Sequence, residues 1–368
     1  MNRRDVRVSR RAFTGVLATL ATTGLPIQRS VSHAAQPAPE VDVEAVLARL
    51  SLAEKVAQLF IIDAPGTMMT PEYADRLSQL RPGGVILLGP NVGAPNEVAA
   101  FVTAIHATNP DLPPLVAVDE EGGPVTRLPA DPAPGAVELG LLPTAKVQSL
   151  AHARAEYVAT FGFDVNFAPV ADVAYTADSV MAARSFGSDP AAVAAKVAAY
   201  VRGVAGAGVL HAAKHFPGHG RAALDSHVAL PEIDLSLDDW RQTDGLPFRA
   251  AVAAGVPIVM LGHLLYPRWD DVPTSISPVA VDMLRRELGF AGLIVTDDLG
   301  MAALADLDPF AVVDRALSAG VDLLLFATHA ADPADLIAHL QRRVEEGAVS
   351  EARLDESLRR LLRAKLAR

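Results

Sequence analysis

The amino-acid sequence predicts an α/β fold consisting of a single (β/α)8 barrel (a TIM barrel) without a C-terminal α/β sandwich domain. Eight short apolar runs alternate with longer, Ala-rich stretches along the chain, which is the pattern of eight strand–helix units. The runs are almost continuously apolar, as is typical of parallel strands that are covered on both faces. With 368 residues, 51% of them hydrophobic, the chain can bury the core of such a barrel, whose usual length is about 250 residues.

The predicted strands are four residues long and recur over the whole chain. In chain order they span 59–62, 85–88, 115–118, 165–168, 209–212, 258–261, 293–296 and 323–326. Helices are predicted at 190–203 and 311–319, which are rich in Ala, at 332–346, where apolar residues recur about every 3.6 positions, and at 350–368. A doubly wound sheet is the alternative, but no glycine-rich phosphate-binding turn follows the first strand.

The first 34 residues are predicted to be a twin-arginine signal peptide. Arg10 and Arg11 are adjacent, an apolar run follows over 12–26, and the segment 32–34 has small residues at both ends, as at a cleavage site. The run is shorter than the roughly 20 residues of a spanning helix, so we expect no stable membrane insertion after signal removal. We expect export by the twin-arginine route and a secreted or cell-envelope-associated protein. A disordered basic tail is the alternative interpretation.

The rest of the chain is predicted to be a linker over 35–42 and a catalytic domain over 43–368. The net charge is −11, although the first 34 residues carry six Arg and one Asp. An acidic domain argues against nucleic acid as a partner, because affinity for phosphate backbones depends on Lys and Arg. The absence of Cys excludes disulfides, thiolate catalysis and Cys-ligated metals. The sequence leaves the oligomeric state unknown.

Polar side chains follow five of the eight predicted strands, at the end of the barrel where active sites lie. In chain order these residues are Asp119-Glu120-Glu121, Asp172, Lys214-His215, His263 and Asp297-Asp298. A single aspartate at a strand end is often only a helix N-cap, and Asp298 is open to that interpretation. Because five strands deliver such groups to the same rim, we predict an active site there.

Three histidines spaced by four residues follow or end the fifth strand: His211, His215 and His219. On a helix they would align on one face and could hold a metal. However, Pro217 and the two glycines that flank His219 do not sustain a helix. We therefore predict a loop that leaves the fifth strand and turns sharply into the pocket, with no metal and no cofactor.

Asp225, His227 and Asp297 suit a two-step displacement. In an extended loop, residues two apart project to the same side, so Asp225 could orient His227 as a proton donor and acceptor near neutral pH. Asp297 ends an apolar strand and would stay ionised near a cation such as Lys214. Attack of this carboxylate on an anomeric carbon would give a covalent glycosyl-enzyme.

Two motifs resemble glycoside hydrolase family 3, specifically its short bacterial β-N-acetylglucosaminidase (β-hexosaminidase) branch. The segment 283–287, Met-Leu-Arg-Arg-Glu, followed by 292–297, Gly-Leu-Ile-Val-Thr-Asp, is similar to the nucleophile signature of the family. The stretch 214–220, Lys-His-Phe-Pro-Gly-His-Gly, followed by Asp-Ser-His at 225–227, is similar to the motif that marks the branch. The resemblance extends over about 46–364.

The resemblance implies a role for each of eight residues. Asp297 would be the nucleophile, His227 the acid/base and Asp225 the partner of His227. The residues that would bind a carbohydrate substrate are Asp119, Arg127, Arg184, Lys214 and His215. Two departures stand out: Pro124 occupies a position that is often basic in the branch, and the export signal differs from the best-known members, which act in the cytoplasm on recycled wall fragments.

The implied function is that of a retaining exo-β-N-acetylglucosaminidase that hydrolyses terminal β-linked GlcNAc of peptidoglycan fragments or chitooligosaccharides, and so takes part in peptidoglycan turnover or carbohydrate metabolism. A phosphorylase is the nearest alternative, because a neutral histidine repels an incoming phosphate less than a carboxylate would. A β-glucosidase, a non-catalytic sugar-binding protein and a metal-dependent hydrolase are further alternatives. The natural leaving group stays open between a muropeptide, a chitin oligomer and a glycoprotein sugar.

Overall fold

Eight parallel strands follow one another in chain order around a barrel. The protein is analysed as a computed structural model, and the structure describes residues 42–328 and 330–366. The strands are β1 (Phe60–Asp63), β2 (Gly84–Leu87), β3 (Leu115–Val118), β4 (Val165–Asn166), β5 (Leu210–Phe216), β6 (Ile258–Leu261), β7 (Leu293–Thr296) and β8 (Leu324–Phe326). β8 pairs with β1, and a parallel bridge between Val295 and Leu323 connects β7 to the segment that leads into β8.

This sequential strand order confirms the predicted (β/α)8 barrel. The doubly wound alternative is wrong, because its strand order reverses at a switch point. Every residue of β2, β3, β6 and β7 is buried, as expected when side chains fill the barrel and helices cover it. The predicted signal and all but the last residue of the predicted linker lie outside the described residues.

Several helices begin at side-chain caps that the sequence encodes. In the described part of the chain they are α1 (Val43–Leu47), α2 (Leu52–Ala57), α3 (Pro71–Leu80), α4 (Pro95–His106), α5 (Ala136–Leu141), α6 (Thr144–Thr160), α7 (Pro190–Val204), α8 (Leu237–Gln242), α9 (Gly245–Ala253), α10 (Pro278–Asp282), α11 (Pro309–Ala319), α12 (Pro333–Glu345) and α13 (Glu351–Leu366). Asp189, Asp308 and Asp332 each accept a backbone hydrogen bond from the first turn of the helix that follows, and a proline starts that helix.

The four helices predicted at 190–203, 311–319, 332–346 and 350–368 are therefore confirmed, with starts within two residues of the prediction. Single 3-10 turns lie at Gly89–Asn91, Thr274–Ile276 and Ala302–Leu304, and a π-helical turn at Met283–Glu287 continues α10. Among residues 42–328 and 330–366, no helix is both long and apolar enough to cross a membrane.

The structure differs from the prediction at the fourth and fifth strands. β4 is only two residues long, whereas β5 continues to Phe216. Lys214 and His215 therefore lie on the strand itself, and the prediction of a loop from residue 214 is wrong. The extension is paired on both sides, since Lys214 forms a parallel bridge with Val170 and Phe216 is in register with β6. Backbone pairing thus fixes the positions of Lys214 and His215.

At the end of the barrel opposite the predicted active site, a buried aspartate joins β7 and β8 to α13. The carboxylate of Asp322 accepts hydrogen bonds from the amide of Ile294 (2.9 Å), the hydroxyl of Ser357 (2.7 Å) and the guanidinium of Arg360 (2.8 Å). Buried charge is tolerated when it is paired and hydrogen-bonded in this way. The cluster anchors the strand that delivers Asp297 to the other end.

Candidate active site

The eight residues singled out from the sequence line one cavity at the carboxyl ends of the strands. Its volume is about 400 Å³. Its lining includes all eight of them: Asp119, Arg127, Arg184, Lys214, His215, Asp225, His227 and Asp297. Apolar side chains complete the walls, among them Phe167, Met181, Met260, Met301 and Leu325. The structure thus brings the predicted residues together, while their individual roles stay predictions.

Asp297 follows directly after β7 and is half-buried at the cavity. Its amide donates to the carbonyl of Leu261 (2.8 Å), and its carboxylate accepts from the amide of Asp298 (2.8 Å). Burial alone would raise the pKa of Asp297, but nearby His215 and His263, the Asp298 amide and Lys214 together lower it to about 2. The carboxylate is therefore ionised at neutral pH.

Asp298 is not a helix N-cap, so that interpretation is wrong. Its carboxylate accepts hydrogen bonds from the amides of Gly300 (3.0 Å) and Ala327 (2.9 Å) and from the hydroxyl of Thr328 (2.6 Å). Ala327 and Thr328 follow β8, so Asp298 ties the rim after β7 to the rim after β8. This link fixes the backbone on the carboxyl side of Asp297.

His263, which follows β6, supports the same backbone. Its Nε2 lies 2.8 Å from the carbonyl oxygen of Asp298, and its Nδ1 lies 2.7 Å from the hydroxyl of Ser275. Because a carbonyl only accepts, Nε2 carries the proton and Nδ1 accepts from Ser275. Burial lowers the pKa of His263, which agrees with a neutral ring in this arrangement. His263 therefore stabilises the backbone that follows Asp297.

Four charged side chains form a network on one wall of the cavity. Lys214 lies 2.6 Å from Asp119 and 2.6 Å from Glu121, and Arg184 forms two hydrogen bonds to Glu121, at 2.9 and 2.7 Å. Burial would raise the pKa of Glu121, but Lys214 and Arg184 lower it to about 2. The network holds two cations and two carboxylates in fixed positions. The predicted binding of sugar hydroxyls requires groups that are fixed in this way.

The sequence placed Glu121 at the predicted rim but assigned no role to it. It stands two positions after Asp119 in the acidic run that follows β3, and that spacing could have suggested a shared direction for the two side chains. Its role depends on Lys214 and Arg184, which are 93 and 63 residues further along the chain. Only the fold brings these partners together.

Asp172 is the buried partner of two imidazole-bearing residues. Its carboxylate accepts from Nδ1 of His215 (2.7 Å) and from the backbone amide of His219 (2.6 Å). Burial would raise the pKa of Asp172, but His215 and His219 lower it. Because Nδ1 of His215 is engaged by Asp172, Nε2 is the ring nitrogen that remains for the cavity. Asp172 thereby orients a predicted substrate-binding group.

Arg127 reaches the cavity because a glycine turn folds the chain back after β3. Gly122 and Gly123 have φ angles of +80° and +59°, a conformation that side chains disfavour, and Glu121 donates its amide to the carbonyl of Val125 (2.9 Å). Nε of Arg127 is buried and has no hydrogen-bond partner among the described residues. A polar group of a bound sugar could supply that partner.

The segment of Arg127 is fixed by Glu120, another residue that the sequence did not assign. One carboxylate oxygen of Glu120 accepts from the amides of Arg127 and Leu128, at 2.7 Å each. Asn166 in turn exchanges two hydrogen bonds of 2.9 Å with the backbone of Glu120. Burial and the nearby Asp131 raise the pKa of Glu120 to about 7.

Asp225 and His227 form a hydrogen-bonded pair at the mouth of the cavity. Nδ1 of His227 lies 2.8 Å from the Asp225 carboxylate, which also accepts the backbone amide of His227 at 2.9 Å. Burial would raise the pKa of Asp225, but these two hydrogen bonds lower it. The His227 side chain is 68% exposed. Because Nδ1 faces Asp225, Nε2 is the nitrogen available to a substrate.

The segment is a turn rather than the extended loop that we predicted. The carbonyl of Asp225 accepts from the amides of Val228 (2.9 Å) and Ala229 (3.2 Å). An aspartate that bonds to its own backbone two residues on is typical of such turns. The pairing of Asp225 with His227 is as predicted, but it arises from this turn chemistry and not from strand-like alternation.

Ser226, between the two members of the pair, is buried and anchors the turn. Its hydroxyl lies 3.1 Å from Nε2 of His219, and its carbonyl accepts from the amide of Ala303 (3.1 Å). Burial lowers the pKa of His219. The turn is thus fixed by its central residue, while its two functional side chains remain at the surface of the cavity.

The three histidines spaced by four residues do not converge on one point. The ring centroids of His215 and His219 are 6.0 Å apart with a 77° angle between the planes. His211 is buried near the start of β5, where burial lowers its pKa to about 4. Over residues 42–328 and 330–366, no three His, Cys, Asp or Glu side chains are grouped so that they could hold a metal ion.

A (β/α)8 barrel whose rim places an ionised carboxylate and a carboxylate–histidine pair around one small cavity is compatible with the two-step chemistry of a glycoside hydrolase. Comparison with known proteins identifies the family. Residues 51–364 match the model of the "Glycosyl hydrolase family 3 N terminal domain". The chain therefore belongs to glycosyl hydrolase family 3, and the resemblance noted in the sequence is confirmed.

Similar proteins include two bacterial relatives. A Beta-hexosaminidase of Pseudomonas aeruginosa (strain LESB58) is 37% identical over 299 residues, which cover 77% of this chain and 86% of that protein. Beta-hexosaminidase LpqI of Mycobacterium tuberculosis (strain H37Rv) is 34% identical over 388 positions, covering 95% and 97%. The structure of M. tuberculosis LpqI superposes with a TM-score of 0.79 over 88% of this chain and 96% of that one.

A longer protein also superposes well. The family 3 β-N-acetylglucosaminidase of Paenibacillus sp. str. FPU-7 gives a TM-score of 0.82 at 32% identity over 86% of this chain. The chain spans 63% of the length of that protein. The barrel is the part that the two have in common.

Proposed function

We propose that the protein is a β-N-acetylhexosaminidase that removes terminal β-linked N-acetylglucosamine by two displacements, with retention of configuration. The observation that carries this proposal is the placement of ionised Asp297 and the Asp225–His227 pair on one cavity. The relatives described as β-hexosaminidases or β-N-acetylglucosaminidases support the choice of sugar.

In the first step, the carboxylate of Asp297 attacks the anomeric carbon and forms an ester bond to the sugar. The leaving oxygen takes the proton from Nε2 of His227, the ring nitrogen that Asp225 leaves available. The Asp225 carboxylate holds the ring through Nδ1 and so directs Nε2 towards the leaving oxygen. The bond between the anomeric carbon and the leaving oxygen breaks as the ester forms.

In the second step, water attacks the same carbon and displaces Asp297. Nε2 of His227, now neutral, accepts the proton of that water. The charged network of Asp119, Glu121, Arg184 and Lys214 holds the sugar through both steps, because it offers donors and acceptors in fixed positions. Contacts to sugar hydroxyls that tighten in the transition state raise the rate of both steps.

The size of the cavity favours action on chain ends. Its volume of about 400 Å³ lies near the lower limit of the roughly 300–1,000 Å³ that is usual for ligand sites. A space of this size accommodates a terminal sugar, and a leaving group protonated by the exposed His227 would extend towards solvent. Peptidoglycan fragments and chitooligosaccharides carry terminal residues that fit this mode.

A fluorinated N-acetylglucosaminide whose glycosyl-enzyme hydrolyses slowly tests the mechanism. We expect mass spectrometry to find the sugar on the peptide that contains Asp297, and NMR of a fast substrate to show the β-anomer as the first product. The Asp297→Ala variant should lose at least about 10³-fold in kcat. Labelling of another residue, near-normal turnover of this variant, or an α-anomer as first product would contradict the proposal.

A phosphorylase is a second candidate, because the acid/base is a histidine that carries no negative charge when it is neutral. An incoming phosphate meets less repulsion from it than from a carboxylate. The product formed in phosphate buffer distinguishes hydrolysis from phosphorolysis. N-acetylglucosamine without sugar 1-phosphate supports the hydrolase, whereas accumulation of the sugar 1-phosphate supports the phosphorylase.

We further propose that the enzyme acts outside the cytoplasmic membrane. The support is the twin-arginine pattern at Arg10 and Arg11 with the apolar run over 12–26, which precedes the described residues. A location in the envelope or medium would give the enzyme access to wall fragments and external chitooligosaccharides.

A further inference from the structure

Two carboxyl groups meet next to the segment that carries Arg127. Glu120 is fully buried, and the side chain of Asp131 is almost so. The two side chains lie within hydrogen-bonding reach of each other. Because an ionised carboxylate only accepts hydrogen bonds, this pair is bonded only when one of its members carries a proton. Two adjacent buried carboxylates repel each other, which favours a single shared proton.

The other contacts of the pair indicate which carboxyl group holds the proton. Both oxygens of Asp131 accept from donors, Oδ1 from the amide of Ala133 (2.8 Å) and Oδ2 from Nε of Arg154 (2.7 Å). The guanidinium favours the ionised form of Asp131. In contrast, Oε1 of Glu120 is buried and receives no hydrogen bond from any described residue. The proton therefore belongs on Oε1 of Glu120, from where it can be donated to Asp131.

The titratable groups that face the pair come from the helices α6 and α7. Arg154 and Tyr157 lie on α6, and Tyr200 lies on α7. Burial raises the pKa of both tyrosines, so they stay neutral near pH 7, and Arg154 stays charged. Burial and Asp131 raise the pKa of Glu120 to about 7, although the amides of the neighbouring segment lower it. Glu120 is therefore the member of this group that changes charge near neutral pH.

The position of Arg127 depends on this carboxyl group. Oε2 of Glu120 accepts the amides of Arg127 and Leu128, at 2.7 Å each, so Glu120 is the direct link between the end of β3 and the returning segment. Ionisation of Glu120 places a second negative charge beside Asp131, and their repulsion acts on that link. A displacement of about 1 Å is enough to weaken a positioned contact to a substrate.

We propose that Glu120 and Asp131 are positioning residues for Arg127, and that they hold it at the cavity only while one proton is shared between their carboxyl groups. The proposal rests on the function proposed above and on the predicted contact of Arg127 with the sugar. Its consequence is an affinity for the sugar that is high when Glu120 is protonated. The affinity falls as the pH rises through about 7, where the folded protein loses this proton.

The inhibition constant of N-acetylglucosamine against hydrolysis of phenyl β-N-acetylglucosaminide tests the proposal at about pH 6 and about pH 8.5. The proteins to compare are the wild type, Glu120→Gln and the control Glu138→Gln, an exposed position in the first turn of α5. Glutamine reproduces the protonated carboxyl group at every pH. Its oxygen can accept the two amides that Glu120 binds, and its NH2 group can donate to Asp131.

We expect the inhibition constant of the wild type and of the control to rise about 10- to 30-fold between the two pH values, as the protonated fraction of Glu120 falls. In Glu120→Gln the rise should be at least about fivefold smaller. The histidines of the cavity are present in all three proteins, so the comparison isolates Glu120. An inhibition constant does not depend on the folded fraction of a preparation.

A wild-type inhibition constant that is the same at both pH values, or an equally steep rise in Glu120→Gln, overturns the proposal. A Glu120→Gln protein that does not fold, or that binds the sugar poorly at pH 6, also overturns it, because the amide has the shape and the hydrogen bonds of the protonated carboxyl group. Failure of the proposed function would look different, since the wild type would then release no N-acetylglucosamine from the phenyl compound at either pH.

Discussion

Asp297 and His227 work in opposite surroundings, and their chemistry follows from that difference. Asp297 is held at a strand end, where His215, His263, the amide of Asp298 and Lys214 lower its pKa to about 2. His227 sits on a surface turn, and its side chain is 68% exposed to solvent. A nucleophilic carboxylate must stay ionised and keep a fixed position, whereas an acid/base group must be accessible to water and to the leaving group.

The His227→Ala variant should show the leaving-group dependence of a lost general acid. We expect phenyl β-N-acetylglucosaminide hydrolysis to fall by about 10²- to 10⁴-fold, because the phenol then leaves without a proton. N-acetylglucosaminyl fluoride, whose leaving group needs little protonation, should be cleaved to its glycosyl-enzyme at close to the wild-type rate in a single turnover. His152→Ala, on the outer helix α6, is the control. Equal losses on both compounds would exclude His227 as the general acid.

Glu121 should make stability depend on acid pH. Its pKa is lowered from 4.5 to about 2 in the folded state, so its ionised form stabilises the fold above pH 4.5 and this stabilisation is lost as pH falls towards 2. We expect Glu121→Gln to lower the free energy of unfolding by about 3 kcal/mol at pH 7 and by clearly less at pH 3. Urea unfolding at both pH values measures this difference.

Glu72→Gln, at the exposed start of α3, is the matched control for that measurement. It should change the free energy of unfolding little at either pH. If the Glu121→Gln deficit were as large at pH 3 as at pH 7, ionisation of Glu121 would not be the source of its effect.

Site residues were predictable where the sequence carried a local motif, and not where a role arises from distant contacts. Asp297, Lys214 and His227 stand within motifs that the printed sequence displays. Glu121 and Asp172 matter because of partners that the chain brings in from 43 or more residues away, at β5 and the segment before α7. The spacing of residues within one segment does not predict pairs of side chains that come from distant segments.

At the scale of elements, the length of β5 decides how the cavity is built. The sequence predicted its end four residues too early, because Lys214 and His215 are polar and the Pro-Gly pair that follows suggested a loop. The strand continues since its backbone groups find partners on both neighbours. Polar side chains at a strand end are compatible with pairing when they point into a functional cavity.

The seam between β7 and β8 is held by two aspartates at opposite ends of the barrel. Asp298 links the segments after the strands, and Asp322 links the segments before them to α13. Backbone pairing at this seam includes the bridge between Val295 and Leu323. Side-chain hydrogen bonds therefore complement the backbone where the nucleophile strand meets β8.

Asp322→Ala should destabilise the fold by about 3–5 kcal/mol, because it leaves buried arginine groups without their carboxylate. The urea concentration at the midpoint of unfolding should fall accordingly. The fluorescence emission of the unfolded protein should stay unchanged. Asp335→Ala, an exposed position in the first turn of α12, should cost at most about 1 kcal/mol. Similar midpoints for the two variants would contradict an anchoring role for Asp322.

At the scale of the whole molecule, the alternation of apolar runs was enough to predict the barrel. All eight predicted runs coincide or overlap with strands, and the order of the strands follows the order of the runs. Topology was predictable because right-handed strand–helix–strand units leave few arrangements open. Boundaries were less predictable, as β4 and β5 show, since pairing depends on neighbours that come from elsewhere in the chain.

The proposed export can be tested on the whole chain. We expect Arg10→Lys/Arg11→Lys to keep the active enzyme in the cytoplasm of its host, because the twin-arginine pattern is an address read by a receptor. Activity in the cytoplasmic, envelope and medium fractions measures the distribution, with Arg29→Lys as the control in the same segment. An unchanged distribution in the double variant would show that these two arginines do not direct export.

The separation of the two catalytic groups makes the enzyme modular. The proposed nucleophile follows a strand of the barrel and Lys214 lies on another strand, whereas the proposed proton donor lies on one short turn anchored by Ser226. Grafting a different turn between the same anchor points would exchange the leaving-group range and leave the recognised sugar untouched. Under the proposed mechanism, a change of leaving group would therefore require changes in one surface loop and none in the strands of the barrel.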